Sequence, residues 1–244
     1  MGFAFRRCLE RDVYYSNGLP LLLCGVLAST SMALNLNQEK ALIFRIVHRD
    51  NLPWILDNGM HARNGMIVDP NYRNIGNVDL IDKRSRRAVA VSPGGTLSDY
   101  IPFYFTPYSI MMLNIKTGHG GVKQVPNDEI LIFVSSLHHA SAQGVTFVFT
   151  NQHAYPPMAE YFTSGTDLHR IDWPLLQSRN FEHDPDDPGK KERYQAEALL
   201  WKHVPLDALL GVCCCTDKTQ RHIQDEIERR GLNFKVGVQQ SWYC

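Results

Sequence analysis

Net charge is missing from this chain: 25 Lys and Arg stand against 25 Asp and Glu over 244 residues. That balance excludes a protein that coats nucleic acid by bulk charge, though a local basic groove stays open. No apolar run reaches the ~18 residues that span a bilayer. Gly (17) and Pro (13) are at an ordinary share, which excludes a collagen-like or wholly disordered chain. The six cysteines include no CxxC pair. Cys213, Cys214 and Cys215 are consecutive, and neighbours on a strand point to opposite faces. They make neither a disulfide framework nor a zinc site, and reduced cytosolic thiols are the plain reading. No GxGxxG follows a strand, and GxxxxGK[ST], HExxH and GxSxG do not occur, so dinucleotide-fold, P-loop, zincin and serine-hydrolase readings lose their support. No internal repeat is visible.

Arg6 and Arg7 precede an apolar stretch, Leu19 to Leu27, and a small-residue cluster ending at Ala33. The outline is that of a signal peptide, but Glu10, Arg11, Asp12, Tyr14 and Tyr15 interrupt it. Met32 is the plainer start. Residues 1–31 then form a dispensable extension, and 32–244 a single domain.

Residues 42–48, LIFRIVH, read as a strand. Asp50 is placed to cap the following helix, Pro53 suits its first turn, and Gly59 closes it in the left-handed position. His48, Arg49 and Asp50 thus fall at a strand-to-helix junction, where backbone and side chains can meet a ligand. Residues 61–100 read as a long loop with a short helix near Val78–Arg84. Lys83, Arg84, Arg86 and Arg87 crowd its end, either as a solvated charge run or as a ligand-facing cluster. Strands are expected at 101–105, 109–115, 129–135, 145–149, 209–215 and 233–238. Residues 151–191 are irregular, 192–202 have helical or mixed spacing, and a helix capped by Thr216 or Asp217 runs to Arg230 before Gly231. The pattern is α+β with two long inserted loops.

The ten histidines are spread singly or, as His138–His139, in a pair that would face apart on a strand. Glu197 stands out among Ala196, Ala198, Leu199 and Leu200. A carboxylate in that company needs a partner or a function, unless it lies on the solvated face of an amphipathic helix.

The runs ALIFRIVHRDNLPWILDNGMH, NIGNVDLIDKRSRRAVAV, GGTLSDYIPFYFTP, ILIFVSSL, FVFTNQHAY and DPDDPGKKERYQAEALLW, in order from about residue 36 onward, resemble DarT. That family comprises DNA ADP-ribosyltransferase toxins paired with the macrodomain antitoxin DarG. The resemblance implies an ADP-ribosyltransferase-like split β-sandwich with peripheral helices and a NAD cleft between two small sheets. It implies ADP-ribose transfer from NAD to a thymidine base in single-stranded DNA, with nicotinamide released. NAD is then a co-substrate, no metal is needed, and the place of action is the cytoplasm, with no membrane involved. Glu197 falls on the family's catalytic glutamate. Arg84 falls on a catalytic arginine in a segment, about 70–87, that covers NAD. His48, Arg49, Asp50 and Asn51 fall on the NAD-contacting strand end. The stretch from about 156 to 196 matches the substrate-recognition loop. The family often reads FYFxPxSPML, where this chain has Ile110 in place of the second proline.

Breaking the nicotinamide–ribose bond builds positive charge on the sugar, through an oxocarbenium-like transition state. Glu197 suits this best when ionised and aimed at the ribose 2′-hydroxyl. Thymine N3 must lose a proton. Arg84 is a poor base, so stabilising the thymine anion is its more natural part. Tyr155, Tyr161, Phe162, Arg170, Trp173, Arg179 and Arg193 offer cations and rings to a single strand, while Phe162 and Trp173 could equally anchor the loop. Two other readings stand beside this one: a transferase of the same fold acting on RNA or protein, and a non-catalytic NAD- or DNA-binding module.

Overall fold

Residues 34–243 are described by the structure, a computed structural model; the expected extension over 1–31 lies outside them. Strand β1 (Leu42–His48) forms from a run of apolar and β-branched residues, and all of it but Arg45 is buried. Helix α1 (Leu52–Asn58) follows one 3-10 turn and carries Pro53 where a missing N–H is harmless. Asp50 does not cap α1, contrary to the sequence reading. The interposed turn shifts the cap position to Asn51, and the Asp50 carboxylate turns out to Arg73 at 2.8 Å. Gly59 does have a positive φ (+73°), but its ψ of −162° is extended rather than left-handed helical. A Cβ there would stand 2.5 Å from the Val204 carbonyl.

Strand β2 (Met60–His61) leads into the long loop. Helix α2 (Val78–Ser85) lies where the sequence places it, with the Asn77 side chain accepting the Leu80 N–H at 2.9 Å. After strand β3 (Tyr100–Tyr104), the expected strand at 109–115 is instead helix α3 (Ile110–Thr117). A short apolar run does not reveal its period, and here the ends decide. Ser109 caps one end through the Met112 N–H, and Gly118, in left-handed geometry, closes the other. Strand β4 (Ile130–Ser136) is buried throughout. His138 and His139 lie on helix α4 (Leu137–Ala142), not on a strand. Strands β5 (Phe147–Thr150) and β6 (Tyr161–Phe162), helix α5 (Trp173–Ser178) and the single turn α6 (Lys190–Arg193) follow.

Helical spacing over 192–202 holds only to Arg193. Strand β7 (Glu197–Trp201) takes over, because Ala198, Leu199 and Leu200 are all buried and neither face is left for water. Strand β8 (His203–Val204) pairs with β2. Strand β9 (Gly211–Cys214), helix α7 (Asp217–Arg229) and strand β10 (Val236–Val238) complete the chain. Thr216 caps α7 as expected, accepting the Thr219 N–H.

The main sheet has the order β10-β9-β4-β1-β3-β7-β5-β6. β1 and β4 pair along their whole length, and β3 and β7 likewise. β1 meets β3 at one pair only, Phe44 with Tyr104. The sheet is therefore split into two four-stranded halves that diverge from this point. Pro102 sits on β3 where β1 has departed, so its missing N–H leaves no neighbour unpaired. Arg45 reaches into the gap and donates to the Pro102 carbonyl at 2.7 Å. Phe44, Phe103, Phe105, Phe133 and Phe149 fill the core on either side of the split.

Candidate active site

Where the halves diverge they leave a cleft of about 380 Å³. Val47, Trp54 and Tyr72 give it apolar walls, while Arg45, Arg63 and Arg84 bring three guanidinium groups to it. Asp69 is the one carboxylate in its lining. That donor set fits a ligand with a negatively charged middle and flat ends.

Arg84 lines the cleft, and Glu197, which is not part of the lining, is bound to it. Glu197 is the first residue of β7 and pairs across the sheet with Tyr104, the residue at which the halves join. Its side chain is 2% exposed and that of Arg84 11%. The two form a fork: Arg84 Nη1 donates to Glu197 Oε1 at 3.1 Å and Nη2 to Oε2 at 2.8 Å. The Ala154 N–H donates to Oε1 at 3.0 Å, and His153 Nε2 lies 3.6 Å from the same oxygen. Burial alone would raise the Glu197 carboxyl. The Arg84 charge, His153, the fork and the Ala154 N–H outweigh it and hold the group below the usual carboxylate range. Burial would likewise lower Arg84, but Glu197 prevails and raises it. The neighbouring Tyr104 hydroxyl is pushed up, mainly by burial.

The four residues expected at the strand end are not brought to this pair, and none of them lines the cleft. His48 is fully buried. Its Nδ1 accepts the Asp50 N–H at 3.1 Å and its Nε2 meets Glu129 Oε2 at 3.0 Å. Asn51 holds the backbone of Arg73 from both sides, accepting its N–H at 2.8 Å and donating to its carbonyl at 2.9 Å. Asp50 pairs with the Arg73 side chain, and Arg49 is part-exposed beside it. The group fastens the long loop to the start of α1, beside the cleft.

Tyr155 packs against the Val89, Leu97 and Val148 cluster. Trp173 donates its indole N–H to Leu168 O at 2.8 Å and packs edge-on to Phe105, so it anchors its loop to the core. Phe162 stacks on Phe149. Arg170 pairs with Glu160 at 2.8 Å, and Arg193 with Asp172 and Asp187. Arg179, with φ +58°, lies over the Tyr108 ring at 3.8 Å. Tyr161 donates to the Ala154 carbonyl at 2.6 Å, beside the N–H that serves Glu197. Arg45, His61 and His153 drew no role from sequence. A single Arg in a strand and lone histidines carry no spacing signal, and only the sheet topology collects them.

Among the described residues, no group of three or more His, Cys, Asp or Glu is placed to hold a metal ion, and no helix is long and apolar enough to cross a membrane.

A family model described as DarT, ssDNA thymidine ADP-ribosyltransferase, matches residues 44–244. A DNA ADP-ribosyl transferase of Escherichia coli O127:H6 (strain E2348/69 / EPEC) is 51% identical over 209 residues, which cover 86% of this chain and 96% of that protein. One from Thermus sp. (strain 2.9) is 30% identical over 207 residues, covering 84% and 97%. Among solved structures, Thermus sp. 2.9 DarT in complex with ADP-ribosylated ssDNA aligns with a TM-score of 0.78 at 28% identity, over 87% of this chain and 100% of that one. The same protein in complex with NAD+ aligns at 0.74 and 28%, over 84% and 98%. Sequence and fold agree along nearly the whole described chain, and the chain belongs to the DarT family of single-stranded-DNA thymidine ADP-ribosyltransferases.

Proposed function

We propose that this chain is a toxin that transfers ADP-ribose from NAD to a thymidine base in single-stranded DNA, with Glu197 and Arg84 as its catalytic residues. The observation that supports the assignment is the buried fork between them, whose arginine lines a cationic cleft. The curated relatives named above are DNA ADP-ribosyl transferases, and the Thermus protein has been solved with NAD+ and with ADP-ribosylated ssDNA.

Arg45 and Arg63 suit the diphosphate of NAD, and the apolar walls suit its rings. Arg49 and Asp50 border the loop that covers the dinucleotide, while His48 and Asn51 serve by holding that loop in place. When NAD and DNA are both bound, Arg84 gives up part of its fork. One Glu197 oxygen then accepts the ribose 2′-hydroxyl and steadies the charge that grows as nicotinamide leaves. Arg84 turns its freed N–H groups to the thymine oxygens and stabilises the base as N3 passes its proton to solvent water and bonds to the ribose carbon that nicotinamide leaves. A guanidinium raised above its usual range is suited to that part and not to that of a base. Arg170, Arg179 and Arg193 meet the strand's phosphates by exchanging their present partners, Tyr155 offers a ring to a base, and Trp173 keeps the loop in place.

The antitoxin that fits this activity is a DarG-like macrodomain. The cytoplasm, where DNA is at hand, suits the buried thiols of Cys213, Cys214 and Cys215. Labelled NAD offered with DNA, RNA and protein acceptors tests the reading. Label should appear on thymidine-bearing single strands and vanish with Glu197→Ala. Label on RNA or protein alone, or on none of the three, would overturn it.

A further inference from the structure

We infer that His153 and Glu192 form a positioning pair that keeps Glu197 ionised while Arg84 is released; the inference rests on the assignment of Glu197 and Arg84 made above. The fork occupies both Glu197 oxygens. To serve a ribose hydroxyl, the carboxylate must lose at least one bond from Arg84. A carboxylate this deeply buried, left with a weakened cation, tends to take up a proton and lose its use.

His153 is placed to prevent this. Its Nε2 is 3.6 Å from Glu197 Oε1, too long for a hydrogen bond but within a small ring movement of one. Its Nδ1 is 3.8 Å from Glu192 Oε2. That oxygen is buried without a hydrogen-bond partner, one of two such side-chain atoms among the described residues. A ring between two carboxylates is favoured as imidazolium, with an N–H for each. Glu192, His153, Glu197 and Arg84 then alternate in sign from one contact to the next. The backbone repeats the link. The His153 N–H donates to the Glu192 carbonyl at 2.9 Å, which sets the turn that aims the next N–H, that of Ala154, at Glu197.

The other titratable or charged groups around Glu197 are Arg84 on α2, Tyr104 on β3, and Tyr161 on β6 with Arg87 beside it. Burial pushes both tyrosines up, so they stay neutral near neutral pH. His153 takes no part in removing the thymine proton.

The test is the pH profile of nicotinamide release from NAD with a thymidine-bearing single strand, for wild type, His153→Gln and Glu192→Gln. Without the imidazolium, Glu197 ionises less readily. His153→Gln should lower kcat about tenfold, leave KM for NAD within about twofold, and move the acid limb up by about half a unit to one unit. Without its outer carboxylate the ring is less favoured as imidazolium, and Glu192→Gln should move the alkaline limb down. Glu192 lies on the part-exposed turn α6, so its replacement carries the test if His153→Gln does not fold. A merely structural role would lower kcat and leave both limbs in place, and that result overturns the inference. Glu197→Gln separates the two claims. If it releases nicotinamide like wild type, the assignment of Glu197 fails. If it is inactive and the limbs of the other variants do not move, only the role of His153 and Glu192 fails.

Discussion

Glu197 and Arg84 are each a liability to the fold without the other. Taking both ions out of water costs several kcal/mol, and their attraction returns it only while the fork is intact. Removing one partner is therefore worse than removing both. Glu197→Ala should destabilise the protein by about 3–5 kcal/mol in urea unfolding, because Arg84 stays charged and buried. Arg84→Met combined with Glu197→Gln should lie closer to wild type. A double variant as unstable as the two single losses added together would show that the pair is not coupled. The shape of the guanidinium matters separately from its charge. Arg84→Lys keeps the charge and loses the fork, so base modification should fall about 100-fold or more while NAD still binds. Near wild-type transfer by that variant would remove the role given to Arg84. At this scale the sequence was informative only in part. A glutamate among Ala and Leu can be seen to need a partner, but nothing in its neighbourhood shows that the partner lies 113 positions earlier. For His48, sequence shows the junction it occupies but not that both ring nitrogens are already engaged there.

Elements rather than single residues hold the split open. The 3-10 turn at Leu97–Asp99 leads into β3, and Asp99 caps it through the Thr96 N–H and hydroxyl while pairing with Lys202 just beyond β7. Burial alone would raise the Asp99 carboxyl, but Lys202 and Thr96 outweigh it and hold it at about 2. The folded value is thus below the unfolded one. The stabilisation is complete above the unfolded value of about 4 and is lost as pH falls toward 2. Asp99→Asn should flatten this acid-side loss in unfolding measured from neutral pH downward; an unchanged slope would show that Asp99 is not its source. β1, β4, α2 and α7 were legible in the sequence, because β-branched runs and side-chain caps leave local marks. α3 and β7 were not. Both are short and apolar, and a run of that kind takes its form from what surrounds it. α3 is closed by Ser109 and Gly118, while β7 is recruited by pairing with β3 on one side and β5 on the other.

Taken whole, the molecule places one buried ion pair at a cationic cleft, with the inserted loops around it. In the proposed reaction the acceptor is thymine N3, on the Watson–Crick edge, so the base has to be unpaired to meet Arg84 and Glu197. Duplex DNA should be labelled far more slowly than the same sequence as a single strand. Equal labelling would mean that the acceptor atom is elsewhere on the base or strand. The split sheet itself was not visible in the spacing of strands, since one Phe44–Tyr104 contact joining two halves is a long-range event. It was expected only through family resemblance. The proposed chemistry depends on Glu197, so the sharpest check is nicotinamide release by Glu197→Gln, in a protein shown to be folded and to bind NAD. Release should be at least about 1000-fold below wild type with a thymidine-bearing single strand present. Release at the wild-type rate would contradict the proposed chemistry.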